Sequence, residues 1–255
     1  MLEALTLARP ESNTAPELLL SIVVPVRNES ANVLPLITEI LAAFDHEGVE
    51  IVYVDDGSTD DTAQRLLEAK TLAKGQLRIL KHRRNCGQSA AVLTGVRFAR
   101  GQWIATLDGD GQNDPADIPI LLARALAEEQ STPGKLLMAG HRTRRKDSWG
   151  KRLSSRLANR IRAAILLDDS PDTGCGLKVF RRDAFLELPH FDHMHRFLPA
   201  LFRRAGGRVI SVPVNHRPRL RGQSNYGTFD RLWVGMFDIV GVFWLQRRWK
   251  CPELE

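Results

Sequence analysis

Short apolar runs, each ending in polar or acidic residues and followed by a helical pattern, constrain this chain more than any other feature. Leu18–Val24 is rich in Ile and Val and stops at Pro25. Val49–Val54 ends in Asp55-Asp56-Gly57, Leu77–Leu80 is shorter, and Trp103–Leu107 runs into Asp108-Gly109-Asp110. Continuous apolar runs of this length read as strands buried on both faces. Between the first two, Val33, Leu34, Ile37, Ile40 and Leu41 recur at helical spacing. Ser58-Thr59-Asp60-Asp61 carries a capping-box pattern opening a helix to about Ala73, and Asn85-Cys86-Gly87-Gln88 turns into another through about Ala99. Asp114-Pro115-Ala116-Asp117 marks the next helix start. Strand runs at roughly 25–30-residue intervals with helices between them predict an α/β fold, a mostly parallel central sheet flanked by helices. Ligands of such sheets bind beyond the carboxyl ends of the strands. The segments after Pro25, at Asp55-Asp56 and at Asp108-Gly109-Asp110 all fall there.

Asp108 and Asp110 place two carboxylates one residue apart at the end of a buried strand. Like charges that close repel, and burial adds a desolvation cost. A hard divalent cation, Mg²⁺ or Mn²⁺, relieves both and prefers oxygen ligands alongside substrate phosphates. A plain polar turn is the competing reading of Asp-Gly. An EF-hand fails, because the twelfth loop position counted from Asp108 is Pro119 rather than Glu. No GxGxxG follows a strand and no GxxxxGK[ST] exists, which removes the dinucleotide-binding and P-loop readings.

The net charge of +6 conceals an asymmetry. Residues 1–140 hold 13 Lys+Arg against 19 Asp+Glu, whereas residues 141–255 hold 23 against 11. The acidic half suits metal binding and the basic half a polyanion. Cys86, Cys175 and Cys251 form no CxxC, which fits a reducing, cytoplasmic compartment. Glu3 sits where a signal peptide carries positive charge, so residues 1–16 are expected to be a flexible tail.

Five ordered motifs carry a family resemblance over about residues 19–228. They are Ser21-Ile22-Val23-Val24-Pro25-Val26-Arg27-Asn28-Glu29, Val54-Asp55-Asp56-Gly57-Ser58-Thr59-Asp60, Asp108-Gly109-Asp110-Gly111-Gln112, Asp172-Thr173-Gly174-Cys175-Gly176-Leu177-Lys178-Val179-Phe180-Arg181, and His216-Arg217-Pro218-Arg219 with Gly222–Gly227. In these the chain resembles glycosyltransferase family 2, with its GT-A fold. The last two motifs resemble the dolichyl-phosphate mannosyltransferase branch and its bacterial undecaprenyl-phosphate relatives. The resemblance implies inverting, metal-dependent transfer of a sugar from a nucleotide diphosphate sugar (GDP-mannose or a UDP-sugar) to a polyisoprenyl phosphate. A soluble or polysaccharide acceptor is the alternative. The resemblance further implies that Pro25, Arg27, Glu29, Val54 and Asp56 line the base and ribose pocket. Asp108, Asp110 and Gln112 would hold the metal and diphosphate. Arg142 and Arg219 would face phosphate charge, Asp172 would be an acceptor-side carboxylate, and Asp110, Asp172 and Arg219 would be the catalytic residues, a plain turn at Asp172-Thr173-Gly174 being the alternative. Glu29 as a helix cap and Asp55 as an orienter of its neighbours stay open. Arg27 stands where the family usually has an aromatic residue, and Asn225 where it usually has a lysine. A phosphate acceptor is already anionic, consistent with the lack of any evident Ser/His/Asp or Cys/His constellation.

A basic run follows Arg142, with Arg152, Arg156 and Arg160 on one helical face and Leu153, Leu157, Ile161 and Ile165 at the same four-residue spacing. This pattern suits an anionic membrane surface, a solvated helix being the alternative. Leu232–Leu245 is mostly apolar but too short to span, and Asp238 interrupts it. The expected organisation is a GT-A domain over residues 17–228 and an amphipathic C-terminal helix and tail over 229–255. Peripheral attachment to the membrane is expected, with a separate membrane subunit as a candidate partner. A nucleic-acid partner is not expected, since it would leave the three strand-end acidic motifs unexplained.

Overall fold

A computed structural model describes residues 18–44, 48–142, 165–166, 170–218 and 228–248. Seven strands form one sheet: β1 (Leu20–Val26), β2 (Val49–Asp55), β3 (Leu77–Lys81), β4 (Trp103–Thr106), β5 (Leu136–Arg142), β6 (Lys178–Arg181) and β7 (Arg208–Val214). Their order is β3-β2-β1-β4-β6-β5-β7. β6 runs antiparallel to both neighbours, and every other pairing is parallel. The mostly parallel α/β sheet expected from the sequence is therefore present. The three acidic or polar strand ends lie side by side on β2, β1 and β4.

Side-chain alternation divides the core into two layers. Leu20, Ile22 and Val24 face α1 (Ser30–Ala42), α2 (Thr62–Leu72) and α4 (Ile118–Ser131), contributing through Ile37, Leu66 and Leu121. Val23, Val52 and Val54 face α3 (Gln88–Phe98), α5 (Arg182–Leu186), α6 (Leu198–Arg204) and α7 (Thr228–Arg247), contributing through Val96, Phe185, Phe202 and Val242. Each fully buried aliphatic or aromatic side chain contributes ~1.5–3 kcal/mol relative to exposure.

Two local expectations need correction. β1 continues through Pro25 to Val26 instead of stopping at the proline. Leu107 N–H donates to Val23 O on the β4 side, and Asp56 N–H donates to Val26 O on the β2 side. Pro25 shares the orientation of Val23, and pairing with β4 ends at Val23–Thr106, where the proline withholds the next N–H, while pairing with β2 carries β1 on to Val26. The expected capping box at α2 is also not made. Asp61 occupies the cap position without a side-chain bond, and Asp60 Oδ1 accepts from Thr62 N–H at 3.0 Å instead. The cap at Asp114 forms as expected, its side chain accepting from Ala116 N–H.

Candidate active site

The ends of β1 and β2 are fastened together by side chains. Asn28, in the left-handed region at φ 55, accepts from Thr59 N–H at 2.8 Å, and its own N–H donates to Ser58 Oγ at 3.0 Å. Asp55 is fully buried, and its Oδ1 accepts from Ser58 N–H at 2.9 Å, which holds the turn. Gly57 has φ 68, and a Cβ there would sit 2.6 Å from the Arg84 carbonyl carbon, so the turn requires glycine. Asp56 is buried. Its Oδ1 accepts from Cys86 N–H at 2.8 Å and from the His82 ring at 2.7 Å, and its Oδ2 from Gly87 N–H at 2.8 Å. The ligand atoms of Asp56, His82 and Cys86 lie within 4.8 Å of one another. Imidazole and thiol donors suit a softer ion than Mg²⁺ or Mn²⁺, and the carboxylate is already filled, so this trio clamps the loop before α3.

The other residues expected to line a nucleotide pocket fall into different settings. Pro25 lines the main cleft described below. Val54 is fully buried beneath α3, where the bare Gly95 lets the helix approach. Arg27 keeps a buried Nε that has no hydrogen-bond partner among the described residues. Glu29 stands at the cap position of α1 without a side-chain cap bond, and accepts from Asn32 Nδ2 at 2.6 Å.

At the end of β4 the two carboxylates meet different surroundings. Asp108 lines a cleft of about 360 Å³ together with Pro25, Gln88, Arg142, Lys178 and His195. Asp110 lines a neighbouring cavity of about 250 Å³ with Asn32, Glu39 and Arg217. Burial and then the nearby Asp110 charge push the Asp108 carboxyl up to about 6, although Lys178, a hydrogen bond from Gln88 and Arg142 oppose the shift. Gly176 lies against this group: a Cβ there would fall 2.1 Å from Asp108 Oδ2. Gln112 N–H donates to Asp110 Oδ1 at 3.1 Å, and its side chain donates to Arg217 O. Arg217 in turn donates to Glu39 at 2.7 Å and to Asn113 O, fixing the loop that carries Asp110. The donors here are carboxylate and amide oxygens, one carboxylate destabilised by its neighbour. That chemistry fits a hard divalent ion.

Two more groups enter from β5 and β6. Arg142 makes a bidentate pair with Asp172, Nε to Oδ2 at 2.6 Å and Nη2 to Oδ1 at 2.7 Å. Burial alone would lower the arginine, but the Asp172 partnership raises it. Lys178 is buried, its Nζ donating to Cys175 O, and burial lowers its pKa against the pull of Cys175, Asp108 and Asp172. Arg219, the basic run at 143–164 and Asn225 lie outside the described residues.

Pro25, Asp108 and Arg142 are thus gathered in one cleft, Asp172 backs it through Arg142, and Asp110 lines the neighbouring cavity with Gln112 bonded to it. Sequence reasoning missed Gln88, Lys178 and His195. Lys178 had a signal: a lysine inside the otherwise apolar run Leu177-Lys178-Val179-Phe180.

Comparison with known proteins places this geometry. Residues 21–188, more than half of the chain, match the model of glycosyl transferase family 2. A dodecaprenyl-phosphate galacturonate synthase of Rhizobium johnstonii is 36% identical over 237 residues, covering 89% of this chain and 67% of its own length. An undecaprenyl-phosphate 4-deoxy-4-formamido-L-arabinose transferase of Edwardsiella ictaluri is 34% identical over 222 residues, covering 86% of this chain and 66% of its own. The chain thus spans about two thirds of the length of these relatives. The fold is that of glucosyl-3-phosphoglycerate synthase from Mycobacterium tuberculosis, solved with Mn²⁺, UDP and glucosyl-3-phosphoglycerate. The TM-score is 0.67 at 19% identity, over 89% of this chain and 79% of that one. With matching motifs, a matching sheet and relatives of this similarity, the chain belongs to glycosyl transferase family 2 and has the GT-A architecture.

Proposed function

We propose that this protein transfers a sugar from a nucleotide diphosphate sugar to a polyisoprenyl phosphate, with inversion, in the manner of the dolichyl- and undecaprenyl-phosphate branch of the family. The observation that carries the reading is the convergence of Asp108, the Arg142–Asp172 pair and Lys178 in one cleft at the carboxyl ends of the strands. An acceptor phosphate oxygen attacks the anomeric carbon, the bond to the nucleotide diphosphate breaks, and the diphosphate leaves with its electron pair. Asp108 and Asp110, with Gln112, would hold Mg²⁺ or Mn²⁺. When bound, that ion supplies charge neutralisation to the departing diphosphate.

The chain's own groups do the positioning. Arg142 presents a guanidinium already oriented by Asp172, and a fixed fork of donors suits phosphate. Asp172 is therefore a positioning residue: both oxygens are engaged by a cation, and an anionic nucleophile needs no base. Lys178 contributes a buried positive charge. The unpartnered Nε of Arg27 suits an oxygen acceptor on the nucleotide, with Pro25, Glu29, Val54 and Asp56 shaping the pocket through loop and backbone. Arg219 is assigned to phosphate by resemblance alone. The donor sugar is one of the class carried by the relatives, whose names specify a uronate and a modified pentose.

Membrane contact is supported by α7, which exposes Phe237, Val240 and Trp244 on one side. Arg247 and Arg248 cap it by stacking over Phe243 and Trp244 at 4.2 and 5.8 Å. Aromatics and arginines at one helix end suit the interface between lipid and water. No helix among the described residues is long and apolar enough to cross a membrane. In this reading residues 17–228 form the catalytic unit, 229–255 the membrane-facing helix and tail, and the enzyme works peripherally at the cytoplasmic face, with or without a membrane subunit.

The test is incubation with radiolabelled nucleotide sugars, Mg²⁺ or Mn²⁺, and undecaprenyl or dolichyl phosphate, beside an Asp110→Ala variant. The reading expects metal-dependent label in the organic phase, lost in the variant. Transfer to a soluble sugar instead would keep the donor site and remove the lipid acceptor.

A further inference from the structure

His195 lines the cleft but belongs neither to the carboxylate pair nor to the Arg142–Asp172 pair. It sits in the turn Met194–Arg196, which the chain enters through His193 in the left-handed region at φ 61. The His193 ring meets Asp238 of α7 at 3.1 Å, so the acid in the middle of the apolar helix tethers this turn. His195 itself is fixed by Ser89 at the start of α3. Ser89 Oγ lies 2.8 Å from His195 Nδ1 and accepts the His195 backbone N–H at 3.3 Å.

We propose that His195 donates its Nε2–H to an anionic oxygen of the bound substrate, and that Ser89 is the positioning residue that sets this tautomer. A serine hydroxyl offers one hydrogen and two lone pairs. Were the ring hydrogen on Nδ1, Ser89 would accept twice, and its own buried hydrogen would have no acceptor among the described residues. With the ring hydrogen on Nε2, Ser89 accepts from the backbone and donates to Nδ1, and every group is satisfied. Nε2 then has no partner among the described residues, on a ring that shares the cleft with Lys178, Arg142 and Arg196. A donor beside those cations selects an anionic oxygen. Burial, with Arg196, Lys178 and His193 nearby, pushes His195 down to about 3, so the ring stays neutral. A neutral ring with its hydrogen on Nε2 cannot take a proton there, so His195 binds and orients and is no general base.

The inference takes the cleft as the substrate cleft of the proposed function, yet its first test needs no transfer reaction. Long-range proton–nitrogen spectra of the full chain labelled in histidine report the tautomer directly. The expected result is a proton on Nε2 throughout pH 5–8, a tautomer mixture in Ser89→Ala, and movement of the Nε2 signal on adding inorganic pyrophosphate. A proton on Nδ1, an imidazolium near pH 6.5, or a ring unmoved by pyrophosphate would overturn it. In kinetics, His195→Phe should lose ~10–100-fold in kcat/KM, and His195→Gln, which keeps an N–H donor, much less. A raised KM for the lipid phosphate assigns the oxygen to the acceptor, and a raised KM for the nucleotide sugar assigns it to the donor diphosphate. Unchanged kcat/KM in both variants would overturn the inference. Absent lipid transfer with the spectra as expected would sink the proposed function alone.

Discussion

Two carboxylates at opposite ends of the sheet, Glu50 and Asp108, were placed there by similar strands and met opposite fates. Glu50, near the amino end of β2, is almost wholly buried and fully engaged. It accepts from Ser21 Oγ at 2.6 Å and from the Arg100 backbone and side chain, with Arg78 nearby. Burial alone would raise its pKa, but those bonds outweigh it and hold the group below its ordinary value. Asp108, at the carboxyl end of β4, has Gln88 as its side-chain hydrogen-bond donor, and burial and Asp110 push it up to about 6. A satisfied buried charge holds a fold together; one left frustrated beside a cleft is held ready for a ligand.

The largest expected effect follows from removing the frustrated charge. Asp108→Asn should lower sugar transfer by ~10³-fold or more while leaving chemical-denaturation stability unchanged or improved. Second, Gly176→Ala would drive a methyl into the Asp108 carboxylate and should cut activity by ~10²-fold, with ~1–3 kcal/mol lost in the same unfolding experiment. Glu50→Gln should do the reverse of Asp108→Asn, costing about 2 kcal/mol of stability with turnover per folded molecule unchanged. If Asp108→Asn destabilised the protein as Glu50→Gln does, the contrast between the two ends would collapse. The smallest effect is in pH. The lowered pKa of Glu50 contributes stability that is complete above its unfolded value of 4.5 and is lost as pH falls through the folded value. Unfolding curves of wild type and Glu50→Gln should therefore converge as pH drops below about 4.5.

The amino-terminal half of the fold was legible because its strands are uninterrupted apolar runs, and the site because its acids stand at the ends of those runs. Pro25 misled on where β1 ends: the sequence shows a missing N–H, but not that pairing with β2 carries the strand on to Val26. Asp56 read as a ligand contact because its type and place allow it, and the sequence did not show that it also holds the loop before α3. Its three donors come from residues 26 to 31 positions away, which local spacing does not display. His195 was hidden, and Lys178 showed only as a lysine in an apolar run, for a related reason, since β6 is inserted antiparallel between β4 and β5 and brings a distant segment into the cleft. Asp238 looked only like an obstacle to membrane insertion until His193 supplied its partner.

The central claim is that the carboxylates at the end of β4 form a cation-dependent nucleotide site. Calorimetric titration of UDP and of GDP into the protein, in Mn²⁺ and then in EDTA, tests it most directly, with Asp110→Ala as the comparison. The account predicts that at least one nucleotide binds at least ~10-fold more tightly with Mn²⁺, a gain of about 1.4 kcal/mol, and that Asp110→Ala abolishes the difference. Equal affinity with and without the ion, or binding of neither nucleotide, would contradict it.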